Sequence, residues 1–236
     1  MAVIAAGGWG VANSPLFRAR TIEVSGASHL DRAQVLREAG LAPGMNVLWL
    51  DTAAAIHRLE ANRWIASATV ARSLPSTVRV SVTERTPAAE VKVGSRWALV
   101  AADGMVLERV SDDPRLPLLM TALGDRRVLA GPASVVGRMS PWVRARVHSV
   151  VPSRDGSLVV ELSSGIHVLF GNASDIAVKD QALAGILRWV SSSGTKVGYV
   201  DLRAPLAPAV GSGDAPPASP RAGASPSPTP AADTGA

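Results

Sequence analysis

An α+β fold in two parts is what this sequence predicts, and three observations carry that expectation. Between residues 18 and 87 the apolar pattern runs strand, helix, helix, strand, strand. From 88 to 205 it becomes a series of short strand-like segments separated by tight Gly-containing turns, the mark of antiparallel hairpins. Near the end of that series stands one strongly amphipathic helix, followed by a last strand. With 236 residues, 47% of them hydrophobic and 18% charged, the chain can fill a core of that size.

In the first part, Thr21-Ile22-Glu23-Val24-Ser25 alternates apolar and polar, the period of a half-buried strand, and Gly26 ends it. Asp31 is placed to cap a helix, with Gln34 at the third helical position as in a capping box; Val35, Leu36 and Ala39 line one face and Gly40 supplies the stop. Asp51 caps a second helix, in which Ile56 and Leu59 give the apolar spacing, and Trp64 packs just beyond its end. Ile65 to Arg72 reads as a strand, Leu74-Pro75-Ser76 as a turn, and Val78 to Val82 as a further strand. Val78, Val80 and Val82 share one face and Arg79 and Ser81 the other, so the sheet has one wet side and both helices cover the opposite one.

In the second part, Gly94-Ser95 suits a two-residue type II′ hairpin and Asp103-Gly104 a type I′ hairpin. Leu116 to Leu119 is a short apolar segment that Pro117 restricts to a sheet edge or an irregular stretch. Ser140 to Val150 is ambiguous: Pro141 suits the first turn of a helix on which Trp142, Val143, Val147 and Val150 would share a face. Leu158 to Leu162 and Ile166 to Phe170 flank Ser163-Ser164-Gly165, a third hairpin. Ser174 or Asp175 caps the best helix of the chain, with Leu183, Ile186, Leu187 and Val190 at i, i+3, i+4 and i+7, and Gly194 ends it. Tyr199 to Leu202 is the final strand.

Little in the chain carries chemistry. There is no cysteine, which removes thiolate nucleophiles, disulfides and Cys-rich zinc sites. Of His29, His57, His148 and His167, none lies three to five residues from another, the spacing of a zinc pair; His167 alternates within a strand and reads as a surface residue. Glu84 beside Arg85 at a strand end reads as a structural ion pair or a solvated rim. Gly7-Gly8-Trp9-Gly10 follows no strand and is no phosphate loop. The six tryptophans are too dispersed for a stacking platform, and Trp64, Trp97 and Trp189 sit in apolar patterns expected in the core. Catalytic, cofactor and metal residues are therefore expected to be absent.

The ends are distinct. Met1 to Phe17 holds no charge, and Ala2 to Ala12 is nearly all apolar or Gly. That run is shorter than the roughly 20 residues of a spanning helix and lacks the basic start of a signal peptide. It reads as the outer part of a membrane anchor, with a frayed terminus or buried strand as the alternative. Gly211 to Ala236, six prolines in 26 residues, has nothing to bury and reads as a disordered tail. The net charge is +5, and the tail's one Arg and two Asp leave +6 on the rest; the charges are scattered, without the patch that nucleic acid needs.

Three stretches in the first part, "FRARTIEVSG", "GMNVLWLD" and "VARSLPSTVRVSVTERTPAAEV", resemble in order the POTRA (polypeptide-transport-associated) domain of FtsQ/DivIB cell-division proteins. In the second, "LVVELSSGIHVLFG", the helix containing Lys179 and "YVDLR" resemble the β domain that follows it in the same family. The resemblance implies a truncated anchor at 1–17, a POTRA domain at 18–87, an FtsQ-type β domain at 88–205 and a disordered Pro/Ala/Ser-rich tail at 206–236. It further implies a non-enzymatic scaffold, single-pass in the cell membrane with its bulk outside, linking FtsB/DivIC-like and FtsL-like proteins at the septum without nucleic acid, cofactor or small-molecule substrate. A secreted wall-binding or wall-acting module is the alternative, which an acidic cluster or a Ser/Lys/His nucleophile set would favour; the sequence shows neither.

The last strand, Tyr199, Val200, Asp201, Leu202 and Arg203, is the expected partner site. As the final strand it is a candidate sheet edge, blunted only partly by Asp201 and Arg203 on one face, with Val200 and Leu202 on the other. The resemblance points the same way, since the family engages FtsB through the end of its β domain.

Overall fold

The computed structural model describes residues 12–110, 116–122, 125–153 and 155–213. Residues 1–11 of the expected anchor and 214–236 of the expected tail lie outside them. Among the described residues no helix is long and apolar enough to cross a membrane; Pro15–Phe17 is a single 3-10 turn. The fold is α+β, with one core gathered from residues 19 to 82 and a second from 89 to 202.

The first unit runs β1 (Thr21–Ser25), α1 (Arg32–Ala39), α2 (Thr52–Glu60), β2 (Ile65–Ser73) and β3 (Thr77–Glu84). The sheet order is β1-β3-β2, with β1 parallel and β2 antiparallel to β3. Asp31 and Asp51 each accept a bond from the backbone N–H three residues on, satisfying a donor that the helix leaves unpaired. The capping box is half formed, because the Gln34 amide turns away to Glu38. Val35, Ala39, Ala55 and Leu59 from the helices meet Ile22, Val70, Val78, Val80 and Val82 from the sheet. On the wet side Glu23 lies opposite Arg79 and accepts its Nε at 2.9 Å. Trp64, partly buried, stacks on His29 with ring centroids 3.6 Å apart.

Glu84 closes this unit. Its carboxylate accepts from the Ser28 N–H (3.0 Å), the Ser28 hydroxyl (2.7 Å), the His29 N–H (2.7 Å) and the Leu30 N–H (2.9 Å). Desolvation raises its pKa, but the bonds from His29, Leu30 and Ser28 outweigh that and hold it at about 2, down from 4.5. A depressed carboxylate contributes stability that is present above the unfolded pKa and lost as pH falls through the folded one. Solvent screening at this half-exposed site leaves about 1–2 kcal/mol. The thermal midpoint is therefore expected to fall between pH 4.5 and 2. Glu84→Gln should melt lower at pH 7 and converge on the parent near pH 2; a constant gap between the two would refute this role.

The second unit contains β4 (Pro87–Val93), β5 (Arg96–Ala101), β6 (Val106–Val110), β7 (Leu118–Leu119), α3 (Arg126–Arg138), α4 (Pro141–Arg144), β8 (Val147–Pro152), β9 (Leu158–Leu162), β10 (His167–Gly171), α5 (Ile176–Ser193), β11 (Tyr199–Asp201) and β12 (Ala209–Gly211). The nine strands form one sheet in the order β12-β11-β10-β9-β8-β7-β4-β5-β6. Its pairs are antiparallel except β10/β11, β4/β7 and β7/β8. Leu129, Val136, Val143, Leu183 and Leu187 from the helices pack on Val91, Val100, Val150, Val160, Val168 and Val200.

The sheet corrects several expectations. Leu118–Leu119 is neither edge nor irregular but lies mid-sheet between β4 and β8; Pro117 precedes the strand and serves as an acceptor, its carbonyl taking the Glu90 N–H. The Ser140–Val150 helix stops after one turn, and Val147 onward is strand. Asp103 does not take the positive φ that a type I′ turn requires; the loop is Ala102 to Gly104, with Gly104 alone left-handed at φ 80°. Helix α3 has no counterpart among the elements expected from the apolar pattern. Trp189 is 45% exposed rather than core.

Candidate partner-binding edge

The predicted site residues occupy β11 and the two positions after it, and the structure divides them by face. Val200 and Leu202 are buried in the core, whereas Tyr199 and Asp201 are half-buried on the other face and Arg203 is exposed. Arg203 Nε donates to both carboxylate oxygens of Asp201 at 3.0 and 3.1 Å, and the Arg203 N–H adds a bond at 3.0 Å. The guanidinium holds the Asp201 carboxyl below its usual range against the opposing effect of burial, and is itself raised by the pairing.

β11 is not the edge. It pairs in parallel with β10, His167 opposite Tyr199, and on its other side with β12, Val200 opposite Val210. On this side the outermost strand is β12, Ala209–Gly211, which lies within the stretch expected to be tail from 206 onward; β6 forms the opposite edge. Gly198 N–H donates to the Gly211 carbonyl at 2.8 Å, and the strands pass so closely that a Cβ on Gly198 would fall 1.9 Å from the Gly213 oxygen. Proline at Val200 or Leu202 would therefore disturb the fold: both residues are core, and the Leu202 N–H donates to the Leu169 carbonyl.

The platform beneath this edge is fixed at the start of α5. Lys179 is 2% exposed, and its Nζ donates to the Asn172 carbonyl at 2.9 Å and to Asn172 Oδ1 at 3.2 Å while lying 4.8 Å from the Phe170 ring centroid. Burial lowers its pKa against the opposing pull of Asp175. Asp175 opens the helix with a left-handed backbone and no side-chain cap, so neither foreseen cap works through its side chain. Lys179 ties α5 to the end of β10, the strand on which β11 is laid.

Glu84 and Arg85 do not pair with each other. Arg85, 10% exposed, donates Nη1 to the carbonyls of Arg63 (2.8 Å) and Ile65 (2.6 Å) in the first unit. Its Nε reaches Asp103 Oδ2 in the second at 2.8 Å. Asp103 also takes Arg126 Nη2 at 2.5 Å and the Met105 N–H at 3.1 Å. Burial raises the Asp103 carboxyl, but Arg85, Met105 and Arg126 together bring it below its ordinary value. A lone Arg at a strand end gave no sequence signal for this role. Among the described residues no group of three or more His, Asp or Glu side chains is placed to hold a metal.

Comparison with known proteins bears on both units. The family profile described as "POTRA domain, FtsQ-type" matches residues 17–85, and that described as "Cell division protein FtsQ/DivIB, C-terminal" matches residues 89–203. The cell division protein FtsQ of Myxococcus fulvus is 31% identical over 80% of this chain and 70% of its own. That of Streptomyces venezuelae is 29% identical over 88% of this chain and 79% of its own. The major extracytoplasmic domain of the cell division protein DivIB from Geobacillus stearothermophilus superposes with a TM-score of 0.37 at 16% identity, over 47% of this chain and 97% of that one.

Proposed function

The chain belongs to the FtsQ/DivIB family of cell-division proteins, and on that premise we propose that it is a non-enzymatic divisome scaffold. It is held by a single N-terminal membrane anchor with its bulk outside the cell, and at the septum it links FtsB/DivIC-like and FtsL-like membrane proteins. The POTRA domain, 18–87, stands next to the anchor and the β domain, 88–205 with β12 added, receives the partner.

The observation that carries this reading is the short outer strand β12. An edge strand presents unpaired N–H and C=O groups; the three-residue length and the preceding Pro208 limit how far pairing can extend, but Ala209, Val210 and Gly211 carry no charge to repel an incoming strand. A partner segment adds there as a further strand, with main-chain bonds of about 0.5–1.5 kcal/mol each. Tyr199, Asp201 and Arg203 shape the adjoining face, while Val200 and Leu202 hold β11 to the core.

Proline placed in turn at Ala209 and Val210 tests it, with binding of a purified FtsB/DivIC-type ectodomain as the readout. At a position whose N–H faces outward, the variant is expected to keep the parent's melting profile and bind about tenfold or more weakly. If every variant folds and binds like the parent, the contact lies elsewhere.

A further inference from the structure

A second surface, remote in sequence from β12, is built around Trp142. This residue lies on the single turn of α4 and is 37% exposed. The Arg146 guanidinium lies 3.7 Å from its ring centroid and donates Nη1 to the Trp142 carbonyl at 2.6 Å. Arg188 of α5 approaches the same ring at 5.3 Å. Beside this cluster runs a groove of about 310 Å³ lined by Leu116, Leu118, Pro141, Arg144 and His148 among others.

Three arginines thus converge on one aromatic and one concavity. Among the described residues the ion pairs are made by Arg79, Arg85, Arg126 and Arg203, and none by Arg144, Arg146 or Arg188. Asp180, on α5, is buried and already accepts from the Ser140 N–H and hydroxyl. Arginines resting on an indole lose part of their freedom before any ligand arrives, so less is lost on binding. Tryptophan and arginine together are the residues that carry energy at protein interfaces.

We infer that the Trp142–Arg146–Arg188 surface and its adjoining groove form a docking site for an acidic polypeptide segment. Carboxylates of that segment meet Arg144, Arg146 and Arg188, and one of its apolar side chains enters the groove between Leu118 and Pro141. The concavity favours a polypeptide over a flat anionic bilayer, which has nothing to place in a groove and is satisfied by basic residues alone.

The test is a fluorescein-labelled peptide of repeating Glu-Glu-Leu-Phe blocks, titrated into the full chain and followed by anisotropy. The Arg146→Ala/Arg188→Ala double variant and Trp142→Ala are each expected to bind about tenfold more weakly. Arg127→Ala, with the same change of charge per residue elsewhere on the surface, should bind as the parent does. In the unaltered protein the Trp142 indole N–H resonance should shift on titration, a readout independent of whether any variant folds. Proline variants in β12 should leave peptide binding unchanged, which separates this site from the edge. Unaltered binding in the folded variants, or a still indole resonance, overturns the proposal. So does a Trp142-dependent attachment to phosphatidylglycerol vesicles or polyphosphate that the peptide does not show.

Discussion

Val80→Asp is expected to unfold the first unit at neutral pH, whereas Arg79→Asp, one residue away on the same strand, leaves it folded. Val80 is 1% exposed at the centre of β3, opposite Val24 on β1 and Val70 on β2. An aspartate there buries a carboxylate with no partner, at a cost of several kcal/mol. A unit of about 70 residues has only about 3–10 kcal/mol in total. At Arg79 the new carboxylate faces Glu23 in solvent, so it loses one exposed bridge and gains one like-charge pair, about 1 kcal/mol together. Urea denaturation followed by circular dichroism separates the two, and equal losses would mean that the strand's faces are reversed. Acid should partly rescue Val80→Asp, because the protonated carboxyl is cheaper to bury.

Arg85→Ala should have the next largest effect, and on geometry as well as stability. The guanidinium meets two carbonyls of the first unit and the carboxylate of Asp103 in the second. Removing a nearly buried charged donor takes the guanidinium from the carbonyls of Arg63 and Ile65, while Asp103 keeps Arg126 and the Met105 N–H; the expected loss is about 2–4 kcal/mol. Distances between spin labels on β2 and β5 should broaden, reporting two units free to swing. Arg85→Lys should not restore a single distance, since one ammonium cannot span acceptors arranged for a planar fork. A sharp, unchanged distance distribution in Arg85→Ala would show that packing alone fixes the units.

The first unit was nearly readable from sequence because each of its signals acts locally. Asp31 and Asp51 cap, Gly40 stops, and alternation puts Val78, Val80 and Val82 inside. The second was readable at its hairpins and at α5 but not between them. In α3, Leu129, Ala133 and Val136 keep a helical spacing, but Pro132 within it and Gly131 and Gly137 around it mimic a loop. Tertiary packing under β4 and β5 overrides those propensities. β7 has two residues and exists because its neighbours supply partners on both sides. β12 is nearly invisible: it holds one large apolar residue, Val210, and is defined by backbone pairing to β11. That hidden strand changed the site, because it moved the free edge outward from the residues expected to provide it. The apolar pattern misplaces Trp189 because Ile186 and Leu187, its neighbours in the pattern, pack on the core while it is exposed.

The parallel pairing of β1 with β3 has a mechanical consequence. The chain enters the first unit at the start of β1 and leaves from the end of β3 toward β4, and these adjacent strands point the same way. Tension applied between the N-terminal side and the second unit therefore pulls the two strands in opposite directions along their lengths. Their ladder, from the Thr21–Thr77 pair to the Ser25–Ser81 pair, is strained in shear, every rung at once, instead of being peeled open one rung at a time. Pulled in this direction the unit resists as a clamp, and β2, paired to the far side of β3, lies off the line of force.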